Sequence, residues 1–312
     1  MTEPAKRPAK IPAKILCAGG ATQDNVMKVE AFPAAGTKVQ ATDFVVTIGG
    51  QAGNASVAIA RLGGDARYAG ALGSKDDAIA NWIVGKLTAE HVDCTHGRRI
   101  EGAMSSVSLI MLDATGEKMI ATRRGEGLLS AVPVDAEKAV DSVDAVLLDN
   151  RYPSFMMPIV QAATKRGIPR VLDLDRPAAI DDPLLNAATH VVSSAEAMRG
   201  TTGEQDFGAA LKKLGQTYKG FLAVTVGPDG VYWLDNGDVR HMDAFKVKSV
   251  DTLGAGDTFH GAFTLRLVET GDVVEAMRFG AAAAAIKCTR FGGLMGAATR
   301  DELEAFLKER AT

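Results

Sequence analysis

Residues 251–263, DTLGAGDTFHGAF, place three glycines and two aspartates in and ahead of an apolar, helix-like stretch. Gly254, Ala255 and Gly256 lie where a loop would meet a helix N-terminus, whose free N–H groups and partial positive charge suit a phosphate. Asp257 follows at once. Because a carboxylate repels a phosphate that is merely bound, the pattern predicts a general base that takes a proton from an attacking hydroxyl. The alternative is that Asp257 caps the helix and the glycines only pack tightly.

The composition is that of an ordinary globular protein. The chain has 312 residues, of which 46% are hydrophobic and 23% charged, so one large α/β unit is possible. A net charge of −3 and an aromatic content of 5% argue against binding to nucleic acid or to a membrane surface. No apolar run approaches the roughly 18 residues that span a bilayer.

The sequence gives no support for a signal peptide or for a framework of disulfides or zinc-binding cysteines. Residues 1–14 are rich in Pro, Ala and Lys without the apolar core of a signal peptide, and they predict a disordered tail before a domain over 15–312. Cys17, Cys94 and Cys288 form no CxxC pair, which excludes a disulfide framework and a zinc site. We expect small buried cysteines in a reducing cytosol, and hence a cytoplasmic protein.

The elements that must position the glycine-aspartate segment follow an alternating rhythm. Apolar strands are predicted near 15–18, 66–72, 143–148, 170–174, 190–192 and 222–226, and helices near 54–62, 76–90, 259–268, 273–289 and 300–309. This alternation indicates an α/β fold built on a mostly parallel sheet.

Two strand-rich segments depart from that rhythm. They cover about 25–47 and 100–124, and the second contains a hairpin whose turn lies at 114–117. We expect the two segments to pair as a small sheet, a lid over one edge of the α/β body.

Residues 251–259 resemble the C-terminal signature of the ribokinase-like (PfkB) family of sugar kinases. Further segments resemble the family in the same order along the chain: 18–24, the opening strand with its sugar-binding Asp; 49–54, GGQAGN, in the N-terminal signature; 225–230, TVGPDG, the nucleotide loop; and 275–281 with 288–293, the closing segment. The resemblance implies a doubly wound α/β fold with a small β-sheet lid, MgATP along the C-terminal half and a sugar under the lid.

The resemblance also implies roles for single residues. Asp257 would be the catalytic base, and the backbone of Gly254, Ala255 and Gly256 the anion hole. The residues implied to face the sugar are Asp24, Gly49, Gly50, Gln51 and Asn54, and those implied to contact the nucleotide are Thr225, Gly227 and Gly230, with Gly254 and Gly256 at the phosphates. Tight turns, a helix cap and a strand-to-turn connection are the alternatives for these positions.

The sequence departs from the family near the phosphates. A common family pattern, Asn-x-x-Glu, reads Ser193 to Glu196 here. Glu196 would still organise water around Mg²⁺, and Ser193 would lie at the ATP site. Serine at this position is a feature of the ketohexokinase-like branch.

A second departure concerns the sugar. Ribokinases carry a Glu after the middle strand where this chain has Arg151. Arg151 offers a two-pronged donor for a carboxylate, sulfonate or phosphate, and Lys38 would add a second positive charge. This arrangement most resembles the sulfofructose kinases, so we expect a ketose substrate that carries an anionic group. Ketohexokinases are the neutral alternative, in which both cations are solvated.

The resemblance further suggests a potassium site beside the anion hole. The Asp251 side chain and the backbone oxygens of Leu253, Lys287, Arg290 and Gly292 would hold the ion. Otherwise Asp251 is a simple turn residue.

Three further expectations concern rival functions and assembly. A nucleoside kinase needs aromatic stacking for its base, and the lid segments offer only Phe32 and Phe44. An inactive sugar-binding relative would have no use for the intact Gly-Ala-Gly-Asp. We expect a homodimer through the lid, because pairing two such sheets covers their apolar faces and edges.

Overall fold

An eight-stranded sheet runs through the computed structural model, which describes residues 12–310. The strands are β1 (Lys14–Ala18), β2 (Thr22–Lys28), β3 (Asp43–Gly49), β4 (Asp65–Ala69), β5 (Ala71–Leu72), β6 (Arg98–Arg99), β7 (Ser106–Leu112), β8 (Lys118–Arg123), β9 (Ala145–Asp149), β10 (Arg170–Leu174), β11 (His190–Ser194), β12 (Phe221–Thr225), β13 (Val231–Asp235) and β14 (Asp238–Met242). The helices are α1 (Gln51–Arg61), α2 (Ala78–Ala89), α3 (Ala136–Val140), α4 (Pro153–Lys165), α5 (Pro183–Ala187), α6 (Ala195–Thr202), α7 (Phe207–Leu214), α8 (Ala255–Thr270), α9 (Val273–Cys288) and α10 (Arg300–Glu309).

The strand order of the large sheet is β14-β13-β12-β11-β10-β9-β1-β4. The six strands from β12 to β4 are parallel, and the β13–β14 hairpin continues the sheet antiparallel. In β1, Ile15 and Cys17 pack into one core cluster and Leu16 and Ala18 into another, because alternate side chains point to opposite faces. Helices cover both clusters, which confirms the doubly wound α/β fold. The carboxyl ends of the parallel strands meet at one edge, where such folds bind ligands.

A separate four-stranded sheet has the order β3-β2-β7-β8, with β2 and β7 parallel. Its inner face contributes Val26, Ile110 and Leu112 to a small core with Leu253 of the loop before α8. Both strand-rich segments therefore pair as expected. Residues 37–42, predicted as strand, are instead loop, since a turn closes with the Thr37 N–H on the Ala34 carbonyl.

Several boundaries differ from the sequence prediction. Residues 1–11 of the predicted tail lie outside the described residues, but Ala13 is buried and β1 begins at Lys14, so the folded domain starts before 15. Helix α1 begins at Gln51 rather than at 54, because Gly50, at φ +79°, serves as its N-cap. The strand predicted over 66–72 is divided at Gly70, where a Cβ would lie 2.1 Å from the Gly19 carbonyl oxygen.

The β13–β14 hairpin is a feature that was not predicted from the sequence. Its two-residue turn is Asn236-Gly237, and both residues have positive φ, 50° and 89°. An Asn-Gly pair between alternating residues is a strong hairpin signal, so the sequence did contain the information.

Cys17, Cys94 and Cys288 are free; Cys17 is buried as expected, whereas Cys94 and Cys288 are only half-buried. Over residues 12–310, no helix combines the length and the hydropathy required to cross a bilayer.

Candidate active site

The glycine-aspartate segment forms the N-terminus of α8. Gly254 is the N-cap in the left-handed conformation, at φ +75°, without a side-chain capping bond, and Asp257 lies in the first turn. A Cβ on Gly256 would meet open space. An uncapped helix N-terminus that opens to space offers N–H groups and a positive dipole end to an anion. The Ala255 N–H already donates to the Thr252 carbonyl oxygen at 3.2 Å, so the anion hole expected from three residues depends on Gly254 and Gly256.

Asp257 is held by a residue of α1. The Asn54 amide nitrogen Nδ2 donates to Asp257 Oδ2 at 2.6 Å, and Asn54 is only 4% exposed. Burial raises the pKa of Asp257, which the Asn54 hydrogen bond opposes. The Asn54 carbonyl oxygen Oδ1 is buried without a protein partner among the described residues. A buried acceptor of this kind suits a ligand hydroxyl.

Asp24 faces the same place from the small sheet. It is buried, and the Thr22 hydroxyl donates to its Oδ1 at 2.7 Å. A Cβ on Gly49 would lie 1.9 Å from Asp24 Oδ2, so only glycine fits beside this carboxylate. Burial raises the pKa of Asp24, and repulsion from Asp257 adds to it. The structure thus brings Asp24, Gly49, Asn54 and Asp257 together. Thr47, paired with Asp24 across the strands, adds a buried hydroxyl with no partner in the described chain.

Arg151 lies at the same edge, but its charge is balanced. Its Nη2 pairs with Asp175 Oδ2 at 2.5 Å, and its Nε donates to Gln51 Oε1 at 2.5 Å. Gln51 in turn donates through Nε2 to Asp173 Oδ2 at 3.0 Å. Both ends of Gln51 are thus engaged within the protein, which makes it a connector rather than an open sugar contact. Lys38 lies on the exposed loop between β2 and β3.

The predicted nucleotide residues lie at the ends of two adjacent strands. The Thr225 hydroxyl, at the end of β12, donates to the Ser193 carbonyl of β11 at 3.3 Å. Gly227 begins a short 3₁₀ turn, and Gly230, at φ +89°, approaches the backbone so closely that a Cβ would lie 2.0 Å from the Met242 carbonyl oxygen. Glu196 is exposed in the first turn of α6.

Ser193 does not fit the predicted contact with ATP. It is fully buried, and its hydroxyl donates to backbone carbonyl oxygens, at 2.9 Å to Ser194 and 3.3 Å to Leu174. We therefore leave Ser193 out of the candidate nucleotide site and keep Glu196.

The residues expected to hold potassium do not form an open cation site. Asp251 is fully buried, and its carboxylate accepts the N–H groups of Leu253 at 2.7 Å, Gly292 at 3.0 Å and Gly293 at 2.8 Å. The Lys287 ammonium lies 3.2 Å from Asp251 Oδ1 and donates to the Asp251 carbonyl oxygen at 2.7 Å. Four donors fill the acceptor capacity of a carboxylate, so nothing remains for an ion.

Two more of the expected backbone ligands already accept hydrogen bonds. The Lys287 carbonyl accepts the Arg290 N–H, and the Gly292 carbonyl accepts the Met295 N–H. The Arg290 side chain pairs with Glu302 on the surface. The Lys287 ammonium thus lies among the residues that were expected to hold potassium.

Comparison with known proteins decides the family. The sequence pattern of the family described as pfkB family carbohydrate kinase matches residues 12–299, which is most of the chain. The chain belongs to this family.

The relatives of this carbohydrate kinase cover it almost completely. A ribokinase of Haemophilus influenzae is 29% identical over 298 residues, covering 93% of this chain and 97% of that protein. A ribokinase of Bacillus subtilis is 28% identical over 292 residues, with the same coverage. The crystal structure of a proposed ribokinase from Agrobacterium tumefaciens is 34% identical with a TM-score of 0.91, covering 96% of this chain and 99% of that one.

Three buried side chains of the kinase's site were missed by the sequence analysis. Asp149 accepts the N–H groups of Gly20 at 2.6 Å and Arg151 at 3.0 Å, and burial raises its pKa to about 6. Burial raises the pKa of Asp173 to about 7, although His260, 3.5 Å away, opposes the shift. Asp149 is the last residue of β9 and Asp173 the last but one of β10, and a polar residue near the carboxyl end of a parallel strand was the available signal.

Proposed function

We propose that this carbohydrate kinase transfers the γ-phosphate of ATP to a hydroxyl of a small neutral sugar, of the kind that ribokinases use. One observation carries the proposal. The carboxylate of Asp257 is fixed by Asn54 in the first turn of a helix whose uncapped N-terminus opens to space, with Asp24 opposite. A base beside an anion hole is the arrangement that phosphoryl transfer to a hydroxyl requires.

The proposed chemistry follows from these positions. Asp24 accepts a hydrogen bond from one sugar hydroxyl, and the unpartnered Asn54 Oδ1 accepts another. Asp257 takes the proton of the reacting sugar hydroxyl. The oxygen of that hydroxyl bonds to the γ-phosphorus, and the bond from that phosphorus to the bridging oxygen of ADP breaks. A pKa raised by burial makes Asp257 a stronger base. The backbone N–H groups of Gly254 and Gly256 stabilise the charge on the transferred phosphoryl group.

The nucleotide would lie along the neighbouring strand ends. We assign it to Thr225, Gly227 and Gly230, with Gly254 and Gly256 at the phosphates. Glu196, exposed in the first turn of α6, suits a Mg²⁺ ion that keeps its waters, and it would hold that ion through water. When bound, Mg²⁺ supplies charge neutralisation at the phosphates.

The choice of a neutral sugar rests on Arg151. Its guanidinium is paired with Asp175, so an anionic substrate would have to compete with a carboxylate already in place. This pairing weakens the part of the expected anionic-ketose specificity that depended on Arg151. The ribokinase relatives support the neutral alternative.

ADP release with a panel of acceptors tests the substrate class. The panel contains ribose, deoxyribose, fructose, a 6-sulfonated fructose and a nucleoside, each at equal concentration. We expect the highest kcat/KM with a neutral pentose. A preference for the sulfonated sugar or the nucleoside would overturn the neutral-sugar assignment without touching the kinase chemistry.

Asp257→Asn tests the chemistry itself. We expect kcat to fall by about 10²–10⁴-fold, because the base is lost, while the fold and the affinity for ATP are retained. Asp301→Asn is the matched control, since Asp301 is also an acid in the first turn of a helix, α10, and is exposed. Turnover of the Asp257 variant equal to that of the control would remove Asp257 from the mechanism.

A further inference from the structure

A buried ion pair holds the loop that leads into the anion hole. Lys287, in the last turn of α9, and Asp251 are both fully buried, and the lysine donates to the backbone carbonyl of Asp251 as well as facing its carboxylate. A fully buried lysine is rare unless it is paired. The pair joins residues that are 36 positions apart.

The carboxylate of Asp251 organises two loops at once. One oxygen, Oδ1, accepts the Leu253 N–H, and the next residue is Gly254, the N-cap of α8. The other oxygen, Oδ2, accepts the N–H groups of Gly292 and Gly293. The orientation of the first N–H groups of α8 therefore depends on the Asp251 carboxylate staying in place.

We propose that the Lys287 ammonium does internally what a bound monovalent cation would do at this loop, and that the kinase consequently needs no such cation. The ammonium compensates the buried Asp251 charge, fixes its carbonyl, and leaves no oxygen of the carboxylate free. A second cation at this place would meet the ammonium at close range and be repelled. Lys287 is thus a positioning residue for the anion hole.

The first experiment uses the unmodified kinase. Its kcat/KM and its melting temperature are measured in KCl and in choline chloride at equal ionic strength. We expect the two salts to give kcat/KM values within about twofold of each other, since both supply the same screening. A several-fold activation specific to KCl would overturn the proposal. The melting temperature does not depend on which sugar is the substrate, so this arm stands even if the proposed substrate fails.

The second experiment removes the ammonium. Lys287→Ala leaves a cavity beside the Asp251 carboxylate. We expect kcat to fall by about 10–100-fold, which is the effect of displacing a catalytic loop by a fraction of an ångström to an ångström. KCl, but not choline chloride, should restore part of kcat and raise the melting temperature of the variant, because potassium can enter the cavity and choline cannot.

A surface pair provides the control. Lys165 pairs with Glu137 at 2.5 Å with both side chains more than half exposed, so Lys165→Ala removes an ion pair of the same chemistry without burial. It should behave like the unmodified kinase in both salts. If potassium fails to change the Lys287→Ala variant, or if that variant keeps full kcat, Lys287 has no positioning role. Should the variant not fold, the comparison of the two salts on the unmodified kinase decides alone.

Discussion

Burial governs the acidic side chains around Asp257. It raises the pKa values of Asp24, Asp149, Asp173 and Asp257, and repulsion from Asp257 adds to the shift of the other three. Asn54, Gln51 and the backbone N–H groups of Gly20 and Arg151 offset part of this cost through hydrogen bonds. Crowded carboxylates of this kind are typical of functional sites, and they make stability depend on pH.

The raised pKa of Asp149 sets the direction in which stability changes with pH. Its pKa rises from 3.8 to about 6 on folding, so the native state binds the proton more tightly than the unfolded state. This contribution to stability is complete below the unfolded pKa and is lost as the pH rises through the folded pKa. The loss amounts to at most about 3 kcal/mol, at 1.36 kcal/mol per pKa unit.

Asp149→Asn should flatten the fall in unfolding free energy between about pH 4 and about pH 6, measured by urea denaturation. The quantity to compare is the slope of the unfolding free energy against pH. The absolute stability of the variant will also drop, because the amide NH₂ cannot accept the Gly20 N–H, and so it does not report on titration. Asp113→Asn is the control. The pKa of Asp113 is lowered, chiefly by its hydrogen bond to Thr115, so it titrates below this window. An unchanged slope in the Asp149 variant would contradict the assignment.

Arg151 permits a second test at the scale of one residue. Because it holds Gln51 and Asp175, we expect Arg151→Ala to lower kcat/KM for ribose and for a sulfonated ketose alike, by about tenfold. Arg240→Ala is the control, since Arg240 pairs at the surface with Asp235 and Asp238. A loss confined to the anionic sugar, measured as the ratio of the two kcat/KM values, would restore the anion-binding role.

At the scale of elements, helix α8 carries glycines in the same conformation at both ends. Gly254 at the N-terminus has φ +75°, and Gly271 at the C-terminus has φ +71°. Alanine at either position should cost about 1–2 kcal/mol of stability, because a Cβ is disfavoured in the left-handed region. Only Gly254→Ala should also lose kcat, by about 10–100-fold, because its Cβ would approach Asn54 at 3.3 Å and shift the anion hole. Equal kcat in both variants would show that the N-terminus of α8 is not catalytic.

Elements whose signals are local were predictable. The strand over 170–174 and the helix over 300–309 agree with the structure at both ends, since apolar runs and turn residues mark their limits. The position of Asp257 near a helix N-terminus was also predicted, but the helix predicted over 259–268 runs from Ala255 to Thr270, so its start lies four residues earlier than expected. The pairing of Arg151 with Asp175 and of Lys287 with Asp251 was not, because nothing in the local sequence shows which residue a long side chain will meet across the fold.

At the scale of the whole molecule, the small sheet has two different faces. Asp24, Val26 and Ile110 point toward the large domain, where they are buried. The strand register places Met27, Phe44, Leu109 and Met119 on the opposite face. These four side chains are 43%, 53%, 62% and 49% exposed, in that order. An exposed apolar face on a sheet is a typical association surface.

We predict that two copies of the kinase pair through this face, which would cover both apolar surfaces at once, as an isologous dimer requires. Leu109→Lys places a charge at the centre of the face and, by symmetry, opposes it with the same charge on the partner. We expect this variant to be monomeric by light scattering at micromolar concentration, where the unmodified kinase is dimeric. Val134→Lys is the control, because Val134 is 75% exposed but lies outside the small sheet. A monomeric unmodified kinase, or a dimer that survives Leu109→Lys, would exclude this interface.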